Sequence, residues 1–113
     1  MDAYNANPSS MKAAIENFAG TAGSNKILVL GAMMELGKES AKEHEDLIEL
    51  LKQYLWKEVI LVGGDFANIV HPFRFFNSAQ EAREWLLQHP AKNSVYLVKG
   101  SRSMRMELIA DVL

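Results

Sequence analysis

Four short apolar runs punctuate the chain, at residues 27–30, 59–62, 73–76 and 95–98. Largely free of polar alternation, they predict strands covered on both faces, as in a parallel sheet packed between helices. Between the runs the period changes. Met11, Ala14, Ile15 and Phe18 fall at i, i+3, i+4 and i+7, as do His44, Leu47, Ile48 and Leu51, which marks two amphipathic helices. Ala79, Ala82 and Leu86 mark a third helix, and Leu108, Ile109 and Val112 a fourth that runs to the end. Start signals agree with these elements. Asn7 followed by Pro8 reads as an N-cap and first-turn pair, while Ser40 with Glu43 and Ser78 with Glu81 match the capping-box spacing. Helix and strand therefore alternate, which predicts an α/β fold: a three-layer, Rossmann-like sheet, mostly parallel, with helices on both faces.

Composition narrows what such a sheet can do. A length of 113 residues suits one domain with one core, since domains most often run to about 100–150 residues. Twelve Lys and Arg against fourteen Asp and Glu leave a net charge of -2, so no global positive field exists to hold nucleic acid or an anionic membrane. Any anion site must be local. The chain has no cysteine, which excludes disulfides, thiolate metal sites and cysteine nucleophiles and fits a cytoplasmic protein. No apolar run approaches the roughly 18 residues of a membrane span, and the start lacks a signal-peptide pattern.

In an open parallel sheet, ligands collect at the carboxyl ends of the strands. Three glycine-bearing loops are predicted there: G-A-M-M-E-L-G at 31–37, Gly63-Gly64-Asp65, and Lys99-Gly100-Ser101-Arg102. If the first residues are the stub of a strand, Asp2, Tyr4, Asn5 and Asn7 form a fourth. Plainer readings compete. Gly63 and Gly64 suit turn geometry, and Asn7, on position alone, is a helix cap. Asp65 is either a ligand contact or the cap of a short helical turn. His44 lies on an apolar stripe, where a histidine is more often a satisfied, partly buried side chain than a catalyst. Glu39, Glu43, Glu45 and Asp46 read as a solvated helix start. The last loop differs, because Lys99, Arg102 and Arg105 crowd an expected helix N-terminus, where the dipole disfavours each cation by about 0.3–1 kcal/mol. A phosphate or carboxylate seated among them would resolve that conflict. There is no P-loop, G-x-G-x-x-G, H-E-x-x-H or G-x-S-x-G motif, and His44, His71 and His89 are not spaced as metal ligands.

Taken together, D-A-Y-N-A-N-P-S-S-M-K-A-A, G-A-M-M-E-L-G-K-E-S-A-K-E-H and V-K-G-S-R-S-M-R-M-E resemble the C-terminal domain of the Mur ligases, over nearly the whole chain. The resemblance is to the branch that joins D-alanyl-D-alanine to a UDP-N-acetylmuramoyl-tripeptide in peptidoglycan synthesis. It implies a three-domain parent that uses ATP and magnesium to form an acyl phosphate, with this domain closing as a lid on a central ATPase domain and holding no tightly bound cofactor itself. The missing P-loop would belong to that central domain. Carried across, Asp2 matches the aspartate at the ATP ribose, and Tyr4, Asn5 and Asn7 line the nucleotide side. Gly31, Met33 and Glu35 match the substrate side, and Lys99, Ser101 and Arg102 are expected to hold the dipeptide carboxylate or a phosphate. His44 and Arg105 carry no assigned role.

Two departures stand out. Ala32 occupies a position that is usually acidic in the family, so no carboxylate role is expected there. The family's D-D-S-Y-N-A-N-P begins here as Met1, Asp2 and Ala3, without the first acidic residue or the strand before it. The expectation is an excised piece of a longer enzyme, silent alone; the alternative is a stand-alone α/β module that binds a small molecule or a protein.

Overall fold

A computed structural model describes residues 6–113. Its elements run α1 (Pro8–Ala19), β1 (Lys26–Gly31), α2 (Ser40–Leu51), β2 (Glu58–Val62), β3 (Arg74–Phe76), α3 (Ala79–Gln88), β4 (Val95–Lys99) and α4 (Glu107–Ala110), with single 3-10 segments at Gly37–Glu39, Gly64–Asn68 and Arg102–Met104. The four strands form one sheet in the order β3-β2-β1-β4, and every pairing is parallel. The expected α/β class is what the chain adopts, with the sheet wholly rather than mostly parallel.

Alternation along β1 explains the three layers. Leu28 and Leu30 enter a core with Met11, Ile15 and Phe18 of α1 and Leu47, Ile48 and Leu51 of α2. Ile27 and Val29 enter a second core with Ala79, Ala82 and Leu86 of α3 and Ile109 of α4. Side chains two residues apart share a sheet face, so a continuous apolar strand feeds both cores at once. β2 does the same, sending Val59 and Leu61 one way and Ile60 and Val62 the other.

The caps differ in detail from the predicted ones. Asn7 caps α1 as expected, its Oδ1 accepting from the Ser10 amide at 2.9 Å while the Asn7 amide donates to Ser10 Oγ at 3.0 Å. Ser78 accepts from the Glu81 amide at 3.2 Å, and Glu81 accepts from Asn77 rather than from Ser78. Ser40 caps nothing: a 3-10 turn leads straight into α2, and no side chain caps its start. The last helix is shorter than expected, stopping at Ala110 rather than running to the end of the chain. After Arg102–Met104 the backbone turns left-handed at Arg105, φ 55°, and only then forms the four residues of α4.

Candidate functional site

Strand order reverses direction between β1 and β4, and the crevice outside the carboxyl ends of two such strands is where open α/β sheets place ligands. The loops 31–37 and 99–102 leave from this point. Their backbones touch. A Cβ added to Gly100 would stand 2.8 Å from the Gly31 Cα, and one added to Gly31 would stand 2.8 Å from Met106 Sδ. Both glycines therefore serve close approach, and the Ser101 amide extends the contact by donating to the Ala32 carbonyl at 3.3 Å.

The predicted site residues divide at this crevice. Asp2, Tyr4 and Asn5 lie outside the described residues. Asn7 carries the helix cap at the start of α1. In the β1 loop the Met33 side chain is buried in the α1 core, while Met34 is 44% exposed and Glu35 is exposed with a left-handed φ of 62°. Met34 and Glu35 thus face outward at the loop tip. In the β4 loop Lys99 is 6% and Ser101 8% exposed, with Ser101 Oγ 3.2 Å from Ser103 Oγ, and Arg102 is exposed. Lys99 shares a sheet face with Leu97, toward α1.

The premise that grouped Lys99, Arg102 and Arg105 at a helix N-terminus does not hold. A single 3-10 turn and a four-residue helix, separated by a left-handed residue, supply too few aligned peptides for an appreciable dipole. Lys99 is buried, and Arg105 reaches the neighbouring Glu107 carboxylate at 3.9 Å. The same segment does something the sequence reading missed. Met104 and Met106 pack against the Gly31 position, and Met104 against Gly63 as well, so two methionines brace the β1, β2 and β4 loops together.

His44 is fully buried, with both ring nitrogens engaged. Nε2 lies 3.0 Å from the Met33 amide and Nδ1 lies 2.7 Å from the Ser40 carbonyl, while the ring meets Phe66 edge-on at 4.7 Å. Ser40 Oγ donates a short hydrogen bond to Asp65 Oδ2, and Asn68 donates to Asp65 Oδ1 at 3.1 Å. Asp65 is not the cap of the short turn, which starts from Gly63 with no side-chain cap; it ties the β2 loop to α2. The Ser40 hydroxyl, then the Asn68 amide, hold its carboxyl below the ordinary range. A shallow pocket of about 230 Å³ opens beside this tie, lined by Met34, Glu35, Gly37, Ser40 and Asp65 among others. A larger groove, about 560 Å³, runs between α1 and α2 past Lys12, Glu43 and Asp46, along the helix layer rather than at the switch point.

The sequence profile of the family described as "Mur ligase, glutamate ligase domain" matches residues 1–102. The chain belongs to the Mur ligase family. Curated relatives named UDP-N-acetylmuramoyl-tripeptide--D-alanyl-D-alanine ligase include that of Escherichia coli (strain K12), 36% identical over 99% of this chain and 26% of that protein. That of Treponema pallidum (strain Nichols) is 33% identical over 100% of this chain and 27% of its own length. Among solved structures, MurF from Acinetobacter baumannii superposes with a TM-score of 0.82 at 32% identity, covering 97% of this chain and 26% of that one. MurF ligase from Thermotoga maritima in complex with ADP gives 0.79 at 28% identity over the same shares, 97% and 26%. This Mur ligase domain is of the MurF type, and it spans about a quarter of the length of the relatives it matches.

Proposed function

We propose that this chain acts as the lid domain of an ATP-dependent ligase that joins D-alanyl-D-alanine to UDP-N-acetylmuramoyl-tripeptide. The observation that carries the reading is the meeting of the 31–37 and 99–102 loops at the β1/β4 switch point of a MurF-type domain that has no P-loop of its own. In the parent, ATP phosphorylates the tripeptide's terminal carboxylate, because a carboxylate is a poor electrophile. The dipeptide amine attacks the acyl phosphate to give a tetrahedral intermediate, which expels phosphate and leaves the new amide. This domain closes over the central ATPase domain, excluding water that would hydrolyse the acyl phosphate.

In this reading Asp2 meets the ATP ribose, and Tyr4, Asn5 and Asn7 line the nucleotide side of the cleft. Gly31, Met33 and Glu35 belong to the substrate-side loop, with the exposed tip formed by Met34 and Glu35. Lys99, Ser101 and Arg102 bind the dipeptide carboxylate or a phosphate of the intermediate by charge-assisted hydrogen bonds. Among the described residues no group of three or more His, Asp or Glu side chains converges as a metal-binding set. Among the described residues, too, no helix is long and apolar enough to cross a membrane.

Phosphate release tests the proposal. Given ATP, the UDP-muramoyl-tripeptide and D-alanyl-D-alanine, this chain alone is expected to release none; joined to the segment encoded upstream of Met1 it should do so only when the dipeptide is present. Turnover by the chain alone, or an upstream sequence with a stop codon and no P-loop, overturns the lid reading in favour of a stand-alone binding module.

A further inference from the structure

We propose that His44 is the positioning residue of the substrate-side loop, a neutral imidazole carrying its proton on Nδ1 that fixes residues 31–37 and couples them to the β2 loop. The assignment follows from the order of donors. The Met33 amide can only donate, so Nε2, 3.0 Å away, presents its lone pair. The Ser40 carbonyl can only accept, so Nδ1, 2.7 Å away, carries the hydrogen. One tautomer satisfies both bonds.

The contacts continue outward through Ser40. The Ser40 hydroxyl lies 3.4 Å from Nδ1 and donates to Asp65, which Asn68 also engages. Met33 in the β1 loop, Ser40 and His44 on α2, and Asp65 and Asn68 in the β2 loop thus form one series. Phe66, from the same β2 loop, closes the other side of the ring at 4.7 Å and 88°. The loop tip depends on this series. With the Met33 amide pinned and its side chain sunk in the core, the next two residues, Met34 and Glu35, are turned outward, Glu35 through a left-handed backbone. A phenylalanine or leucine at position 44 would fill space but leave the Met33 amide without its acceptor, freeing that peptide to rotate.

What the loop contacts rests on the ligase reading; how it is held does not, and the experiment separates the two. Nitrogen-15 NMR of the imidazole in the unaltered chain at neutral pH should show Nδ1 protonated and Nε2 bare. Hydrogen exchange of the Met33 amide should accelerate about tenfold or more in His44→Leu, the loss of roughly one net hydrogen bond, while the Val29 and Leu61 amides in mid-sheet stay protected. His44→Gln, which can place a carbonyl oxygen near the Nε2 position, should restore most of that protection. In the ligase joined to its upstream segment, His44→Leu should raise KM for the dipeptide about tenfold more than it lowers kcat, again with rescue by Gln. An Nε2-protonated ring, or equal Met33 protection in the Leu variant, overturns the positioning role. A wild-type joined chain with no ligase activity overturns the ligase reading alone and leaves the NMR result to decide the role of His44.

Discussion

At Gly64 the backbone takes φ 54°, and an added Cβ would stand 2.4 Å from the Ala32 methyl. Ala32 is itself fully buried, so it is a packing partner of the β2 loop. Gly64→Ala should therefore cost about 2 kcal/mol or more, from overpacking added to left-handed strain, read as a lower denaturant midpoint with an unchanged slope. Asp65, next in the chain, gives a pH signature. Its pKa is lowered in the folded state, chiefly by the Ser40 hydroxyl, so the unfolded state binds the proton more readily and stability falls as acid is added. That contribution is fully present above the ordinary aspartate value of about 3.9 and disappears as pH drops through the folded value below it. Thermal unfolding of wild type and Asp65→Asn should differ at neutral pH and converge in acid; a constant gap would show that the Ser40 bond contributes no such linkage.

At the level of elements, α1 shows why a cap and a ligand contact look alike in sequence. Asn7 and Ser10 satisfy each other's backbone amides, so Asn7→Ala should destabilise by about 1 kcal/mol, while Asn7→Asp should keep most of the stability. If Asn7 also faces nucleotide, the Asp variant will retain its melting temperature and lose ATP affinity. The strands and helices were legible because burial imposes its period directly: 27–30 and 59–62 had to be covered on both faces, and each is. The short elements were not. Ser40 has capping-box spacing, yet a 3-10 turn precedes it and frees its hydroxyl for Asp65, a contact spanning 25 residues that no local pattern encodes. The loop 99–102 was expected to lead straight into the last helix marked by Leu108, Ile109 and Val112, whereas the turn at Arg105 and the seating of Met104 and Met106 against Gly31 depend on where β1 ends. The loops of the site were thus visible as loops, and what holds them was not.

For the molecule as a whole, the proposed lid role requires a domain that moves as one body, and the sheet is built to behave as one. Consecutive residues of β1 and β2 supply opposite cores, so neither helix layer can detach without uncovering strands that the other layer still needs. Ile15 in the α1 core and Ile109 in the α4 core are both fully buried, and each truncation to alanine should cost about 2–5 kcal/mol. The coupling predicts more than the loss: both variants should unfold in a single transition, with circular dichroism and the fluorescence of Trp56 and Trp85 changing together. Those two reporters sit on opposite faces, Trp56 against Phe18 and Trp85 against Phe76, so each watches one core. If Ile109→Ala melted Trp85 first and left Trp56 in place, the two layers would be separable, and the 99–102 loop could move apart from the 31–37 loop. A crevice built from both would then lose its shape on closing, which a rigid lid must avoid.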